Sequence, residues 1–167
     1  MKILVFTEGT LLIGGNVTHL SRQERIRAVQ AELAASQPID FRAEVPAGNA
    51  VEKLRAWRRQ GAEIMYLTSR TRPDEIEAIR YVLDKYSFPE GELFFRRSQE
   101  DEAYKDVAER VLPDILVEDD CESIGGEAEM TYPHIRPELK ARIKSIVIPE
   151  AGGIDHLPDD IADLANY

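Results

Sequence analysis

Three apolar runs in this chain end in side chains able to do chemistry. Ile3 to Phe6 gives way to Thr7-Glu8-Gly9-Thr10, Ile64 to Leu67 gives way to Thr68-Ser69-Arg70, and Ile115 to Val117 gives way to Glu118-Asp119-Asp120. A short, β-branched-rich run without alternation reads as a strand buried on both faces. In open α/β sheets, ligands sit beyond the carboxyl ends of such strands. Thr7, Glu8 and Thr10 are thereby placed where a reaction or a ligand would be. The acidic run adds an electrostatic argument. Three like charges at the end of a buried strand repel one another, and this costs stability unless a cation, a lysine or raised pKa values relieve it. A metal ion is one candidate for that role. Lys105 is the other, on the first turns of the helix before that strand and off its apolar stripe.

Several other residues point to plainer roles. A cysteine phosphatase loop of the Cys-x5-Arg type starting at Cys121 needs arginine at 127, where the chain has Glu127. Neighbouring carboxylates also raise the thiol pKa and suppress the thiolate. Cys121 therefore reads as a small buried residue. His19, His134 and His156 are scattered without metal-ligand spacing, so no zinc site is expected. Taken alone, Thr68-Ser69 would be strand-end caps, and Lys105 an exposed helix lysine paired with Asp101, Glu102 or Glu109.

The chain has 167 residues, 43% hydrophobic and 31% charged, with a net charge of −10. That is one domain of ordinary size, long enough for a real core. Nucleic-acid affinity comes largely from neutralising phosphates, so the negative balance argues against a nucleic-acid partner. No run approaches the roughly 18 apolar residues of a membrane span, and no secretory signal pattern is seen, so no membrane association is expected. A single cysteine suits a reducing compartment, and the expected location is cytoplasmic. Arg55, Arg58 and Arg59 read as a solvated helix face. Arg70, Arg72, Arg96 and Arg97 are also expected at the surface, although Arg70 follows a strand end.

Helices and strands alternate along the chain. Ser21 with Glu24 forms a capping box, and Ile26, Val29 and Leu33 recur at helical spacing, predicting a helix over 22–35. Asn49 with Glu52 predicts a second capping box, with Val51, Leu54 and Trp57 inward and Gly61 as the stop. Strand 63–67 follows. A third helix runs from Pro73 to about Tyr86, and a short strand covers Leu93 to Phe95. A helix over 101–111, a strand over 115–117, a helix over 138–144, a strand over 146–148 and a short acidic helix from about Pro158 complete the series. Residues 11–48 carry a turn at Gly14-Gly15-Asn16, compatible with a hairpin or flap, then the first helix and a loop from Gln37 to Gly48 with an extended piece at Ile39 to Phe41. This alternation predicts a three-layer α/β sandwich on a parallel sheet. No repeat, linker or domain boundary is apparent.

A strand followed by x-Glu-Gly-Thr-Leu, a second ending in Thr-Ser, a lysine before a third, and that third ending in Glu-Asp-Asp resembles the haloacid-dehalogenase (HAD) superfamily. Its motifs run Asp-x-Asp-Gly-Thr, Thr or Ser, Lys, and an acidic cluster. The resemblance implies a Rossmann-like, five-stranded parallel sheet of order 5-4-1-2-3 with a flap after the first motif, and it makes residues 11–48 too small for a full cap domain. The site is then open or closed by a second copy in a homo-oligomer. The resemblance implies a general acid/base at Glu8, phosphate contacts from Gly9, Thr68, Ser69 and Lys105, and a weakly held Mg²⁺ at Glu8, Asp119 and Asp120. It departs at Phe6, which stands where the family has its nucleophilic aspartate. A benzyl ring can neither attack phosphorus nor bind a cation. The expectation is a phosphatase-fold protein that binds a phosphorylated small molecule with little or no turnover. The alternatives are an Mg²⁺-dependent phosphohydrolase using water activated by Glu8 or Asp119, and a non-catalytic interaction module.

Overall fold

The computed structural model describes residues 1–35, 38–98 and 101–167. Five parallel strands form the main sheet: β1 (Lys2–Phe6), β4 (Glu63–Leu67), β5 (Leu93–Phe94), β6 (Ile115–Asp119) and β7 (Lys144–Ile148). Their spatial order is β5-β4-β1-β6-β7, so the first strand is central. This is the 5-4-1-2-3 order expected from the motifs.

Alternation along the strands divides the core into two layers. Ile3 and Val5 of β1, Ile64 and Tyr66 of β4, and Ile115 and Val117 of β6 turn to one face. There they meet Leu54 and Trp57 of α2 (Ala50–Arg59) and Ile79 and Val82 of α3 (Pro73–Lys85). Leu4, Met65, Leu67 and Leu116 turn to the other face, against Val107 and Ala108 of α4 (Tyr104–Val111) and Ile135 and Ile143 of the following segment. Helices on both faces explain why the central strands carry apolar residues without a polar side. Lys53 sits among these residues with its ammonium on the Leu157 carbonyl and the Asp159 carboxylate, tying the C-terminal segment to α2.

Between β1 and α2 lies the insertion. β2 (Leu12–Gly14) pairs antiparallel with β3 (Glu44–Pro46), and α1 (Arg22–Ala35) runs between them. The hairpin suggested near Gly14 is thus closed by a distant strand, and the extended piece is 44–46, while Phe41–Ala43 is a 3₁₀ turn. The predicted loop starts at Gln37, which lies outside the described residues. The Ser21 capping box forms, with Glu24 accepting from the Ser21 amide and hydroxyl at 2.9 and 2.6 Å. The one predicted at Asn49 does not: its side chain makes no cap, and its amide donates instead to Asp155. Gly61 stops α2 with φ +93°. The helix expected over 101–111 begins only at Tyr104, because Asp106 accepts the Ala103 amide and fixes the start there. The helix expected over 138–144 is the single turn α5 (Pro137–Lys140), since Lys144 already pairs in β7. The chain ends in α6 (Ile161–Asn166). Among the described residues, no helix is long and apolar enough to cross a membrane.

Candidate functional site

At the carboxyl edge of the sheet, polar groups gather in two corners. The first belongs to β6 and β7. Asp119 ends β6 and is 7% exposed; it accepts the Thr10 hydroxyl at 2.9 Å and the Cys121 amide at 3.0 Å. Asp120 accepts the Glu150 amide at 3.0 Å and lies 3.6 Å from the Arg22 guanidinium at the start of α1. Glu150, just past β7, is held by the Ser123 amide and hydroxyl at 2.7 and 2.6 Å. One carboxylate oxygen from each of Asp119, Asp120 and Glu150 lies within 4.8 Å of the others. Burial, and then the Glu150 and Asp120 carboxylates, push the Asp119 carboxyl up to about 6.

Gly9 closes this corner from the β1 side. Its φ is +76°, and a Cβ there would stand 2.7 Å from Asp119 Oδ2 and 3.3 Å from Glu150 Cγ. Only glycine satisfies both the left-handed backbone and the close approach. Hard oxygen donors in this number suit Mg²⁺ or Ca²⁺. The residues therefore fit a divalent ion, with Asp119, Asp120 and Glu150 as its side-chain ligands.

The second corner belongs to β1 and β4. Glu8, 15% exposed, points its carboxylate at the end of β4. Oε1 accepts the Thr68 hydroxyl at 2.5 Å and lies 3.2 Å from Arg70 Nε. Oε2 accepts the Thr7 hydroxyl at 2.6 Å and the Ser69 amide at 3.2 Å. Thr68 and Ser69, expected to face a phosphate, thus already surround an anion supplied by the chain. The Arg70 guanidinium also packs on the Phe41 ring at 4.5 Å, which fixes its orientation.

The third acidic residue has a structural task. Alternation turns Glu118 to the α4 face, where its carboxylate accepts the Thr131 and Tyr132 amides at 2.7 and 2.9 Å. Glu118 escapes the anticipated repulsion by turning to these backbone amides, while Asp119 stays beside Asp120 and Glu150 with its carboxyl raised; Lys105 takes no part. Lys105 lies off the cleft: its ammonium bonds Asp106 at 3.1 Å, and it does not line the cavity. The neighbouring Tyr104 does. Its ring meets Phe6 edge-on at 5.3 Å and stacks under Arg96 at 4.2 Å. Phe6 shares the face of Leu4, so its ring belongs to the α4 side of the core.

Of the expected site residues, Lys105 lies outside the cleft, while Glu8, Gly9, Ser69 and Asp119 line one cavity and the Glu8 side chain is taken up by Thr68, Ser69 and Arg70. Asp119 and Asp120 are gathered together, and so are Glu8, Thr68 and Ser69. Glu150, Arg70 and Arg96 were missed as site residues. Each follows the end of a strand, so the strand-tip rule applied to all five strands would have found them. Cys121 is half-buried beside Asp119, and burial with the Asp119, Glu118 and Glu150 charges raises its thiol well above the ordinary range. Both causes disfavour the thiolate.

No protein-family model matches the sequence, and no curated protein matches it. Solved structures do. A class C acid phosphatase from Bacillus anthracis superposes with a TM-score of 0.59 at 14% identity, over 99% of this chain and 77% of that one. The same phosphatase with tungstate bound gives 0.59 at 15%, over 91% and 68%. The fold is HAD-like. A chain of the Pnkp1/Rnl/Hen1 RNA repair complex gives 0.53 at 13% identity; this protein covers 89% of itself but spans only 43% of that chain. At such identities the likeness concerns the HAD-like fold alone, and the chemistry must be read from the residues described above.

Proposed function

We propose that this chain is a ligand-binding protein on the HAD-like fold. It holds a divalent cation at Asp119, Asp120 and Glu150 and a small phosphorylated molecule at Thr68, Ser69 and Arg70, with little or no phosphatase turnover. The observation that carries the reading is the Glu8 carboxylate ringed by the Thr7 and Thr68 hydroxyls, the Ser69 amide and Arg70. Four converging donors make an anion receptor, and charge-assisted bonds of this kind are the strong ones. An incoming phosphate takes the Thr68 hydroxyl, the Ser69 amide and Arg70 in exchange for Glu8, which swings out as the displaced anion. A bound cation would supply charge neutralisation beside that phosphate. Phe6 supports the absence of turnover, since the tip of β1 offers an edge-packed phenyl ring and no carboxylate. Loss of a covalent nucleophile costs orders of magnitude in rate unless another group replaces it.

The test is calorimetric titration of orthophosphate with Mg²⁺ present, alongside an assay with an aryl phosphate. Saturable heat that disappears in Thr68→Val, without turnover, bears the reading out. Aryl phosphate turnover abolished in Asp119→Asn would instead establish a phosphohydrolase using activated water. Absence of any heat at millimolar phosphate would leave an interaction module. In the Phe6→Asp variant, Mg²⁺-dependent turnover should appear if the two corners stand in register.

A further inference from the structure

Between the carboxyl edge of the sheet and the insertion lies a cavity of about 590 Å³. Pockets for small molecules fall in this range and are lined mainly by apolar and aromatic side chains. Phe6, Leu12, Ile13, Phe41 and Tyr104 form such a wall here. The α1 stripe contributes as well. Of the three residues expected to pack on the core, only Ile26 is buried; Val29 and Leu33 line the cavity, and Leu33 is left 51% exposed. Ile39 and Ile124, also on its wall, are 37% and 53% exposed. Apolar side chains left uncovered by their own chain leave that surface for something else.

Two polar atoms give this surface chemical specificity. The buried Oε2 of Glu44 and the buried Nε of Arg96 both belong to residues lining the cavity, and neither has a hydrogen-bond partner among the described residues. A buried acceptor or donor left unpaired costs free energy, and such atoms in a native fold call for an explanation. Arg96 is held in place by the Tyr104 ring. Glu44 is held by the pairing of β3 with β2, where it stands opposite Gly14.

We propose that this cavity binds a small amphipathic organic molecule whose aromatic or otherwise apolar body lies against Phe6, Phe41 and Tyr104. The molecule presents a hydroxyl or N–H group to Glu44 and an acceptor oxygen to Arg96. Burial, and then the Glu8 carboxylate, push the Glu44 carboxyl up to about 8, so a neutral group suits it better than an ammonium. No phosphate is required, and the site reaches beyond the anion corner at Glu8.

Anilinonaphthalene sulfonate carries all three features: a fused aromatic body, an aniline N–H and a sulfonate. Its fluorescence is to be titrated against the native protein and against Glu44→Leu, Arg96→Leu and Val29→Trp, each shown to be folded by circular dichroism. The expected result is saturable binding of one probe per chain, weakened tenfold or more in each polar variant and abolished by Val29→Trp, which fills the cavity. Binding unchanged in either polar variant or in Val29→Trp, or several probes per chain, overturns the proposal. Should Glu44→Leu fail to fold, Arg96→Leu and Val29→Trp decide it. Ser69 and Arg70 also line this cavity, but the probe bears no phosphate and the variants at Glu44, Arg96 and Val29 keep Thr68, Ser69 and Arg70, so loss of probe binding and loss of orthophosphate heat are separate results.

Discussion

The two corners at the carboxyl edge treat charge in opposite ways. At the tips of β6 and β7, carboxylates crowd together with few cations: Asp119, Asp120 and Glu150 share one small space, with Arg22 reaching only Asp120. At the tips of β1 and β4, donors crowd around a single carboxylate, Glu8. Among the described residues the first corner has one cation, Arg22, for three carboxylates, and the second has brought its own counter-charge. A cation entering the acidic corner adds positive charge that offsets three carboxylates, with Arg22 the one cation already beside them among the described residues. An anion entering the other corner must compete with a tethered side chain at high effective concentration.

The largest effect that would sharpen this contrast concerns Glu118, which is acidic by sequence but structural by position. Glu118→Ala leaves the Thr131 and Tyr132 amides without acceptors and should cost roughly 3 kcal/mol in urea unfolding. A cost under about 1 kcal/mol would return Glu118 to the acidic corner. Next comes Glu44, beside the donor corner. In the fold its carboxyl keeps a proton up to about pH 8, whereas the unfolded chain loses it near the ordinary value of 4.5. Between those values the native state binds more protons, so its stability falls as pH rises across this window. The side chain is half-buried and partly screened by solvent, so the wild type should lose about 2 kcal/mol more between pH 5 and 8 than Glu44→Gln does. Parallel pH profiles for the two proteins would show that the carboxyl is solvated.

A smaller effect is expected at Gly9. Gly9→Ala combines a left-handed backbone with a Cβ pressed on Asp119, for a loss of about 2 kcal/mol and weaker Mg²⁺ binding. Unchanged Mg²⁺ affinity in this variant would separate Gly9 from the acidic corner. Smallest is the gain expected when the internal anion is neutralised. Glu8→Gln keeps the shape but releases Arg70, so orthophosphate should bind about tenfold tighter, or about 1.4 kcal/mol. Weaker phosphate binding in that variant would make Glu8 a ligand-holding group and erase the difference between the corners.

Much of this architecture was readable from the chain itself. The apolar runs around Val5, Tyr66 and Val117 fixed the buried strands because a strand covered on both faces has no polar positions to spare. Ser21 and Glu24 set the start of α1 because a capping box is closed by residues three apart. The limits came where contacts are distant. Asn49 loses its cap because its amide is drawn to Asp155, and β2 pairs with β3 across α1. Lys105 and Tyr104 are adjacent in the chain, yet only Tyr104 faces the cleft, because helix rotation is set by what Val107 and Ala108 pack against.

The sequence by itself determined that polar residues would stand at the tips of a central parallel sheet and that the first of these strands would end in a phenyl ring, Phe6, and not in a carboxylate. Those are properties of local order and strand ends. Only the tertiary structure decided which carboxylates meet: Glu118 turns away to two amides, Glu150 arrives from β7, and Glu8 is claimed by Thr68, Ser69 and Arg70. The physical reason is that strand alternation assigns a face to each side chain, but the partner on that face comes from elements far away in the chain.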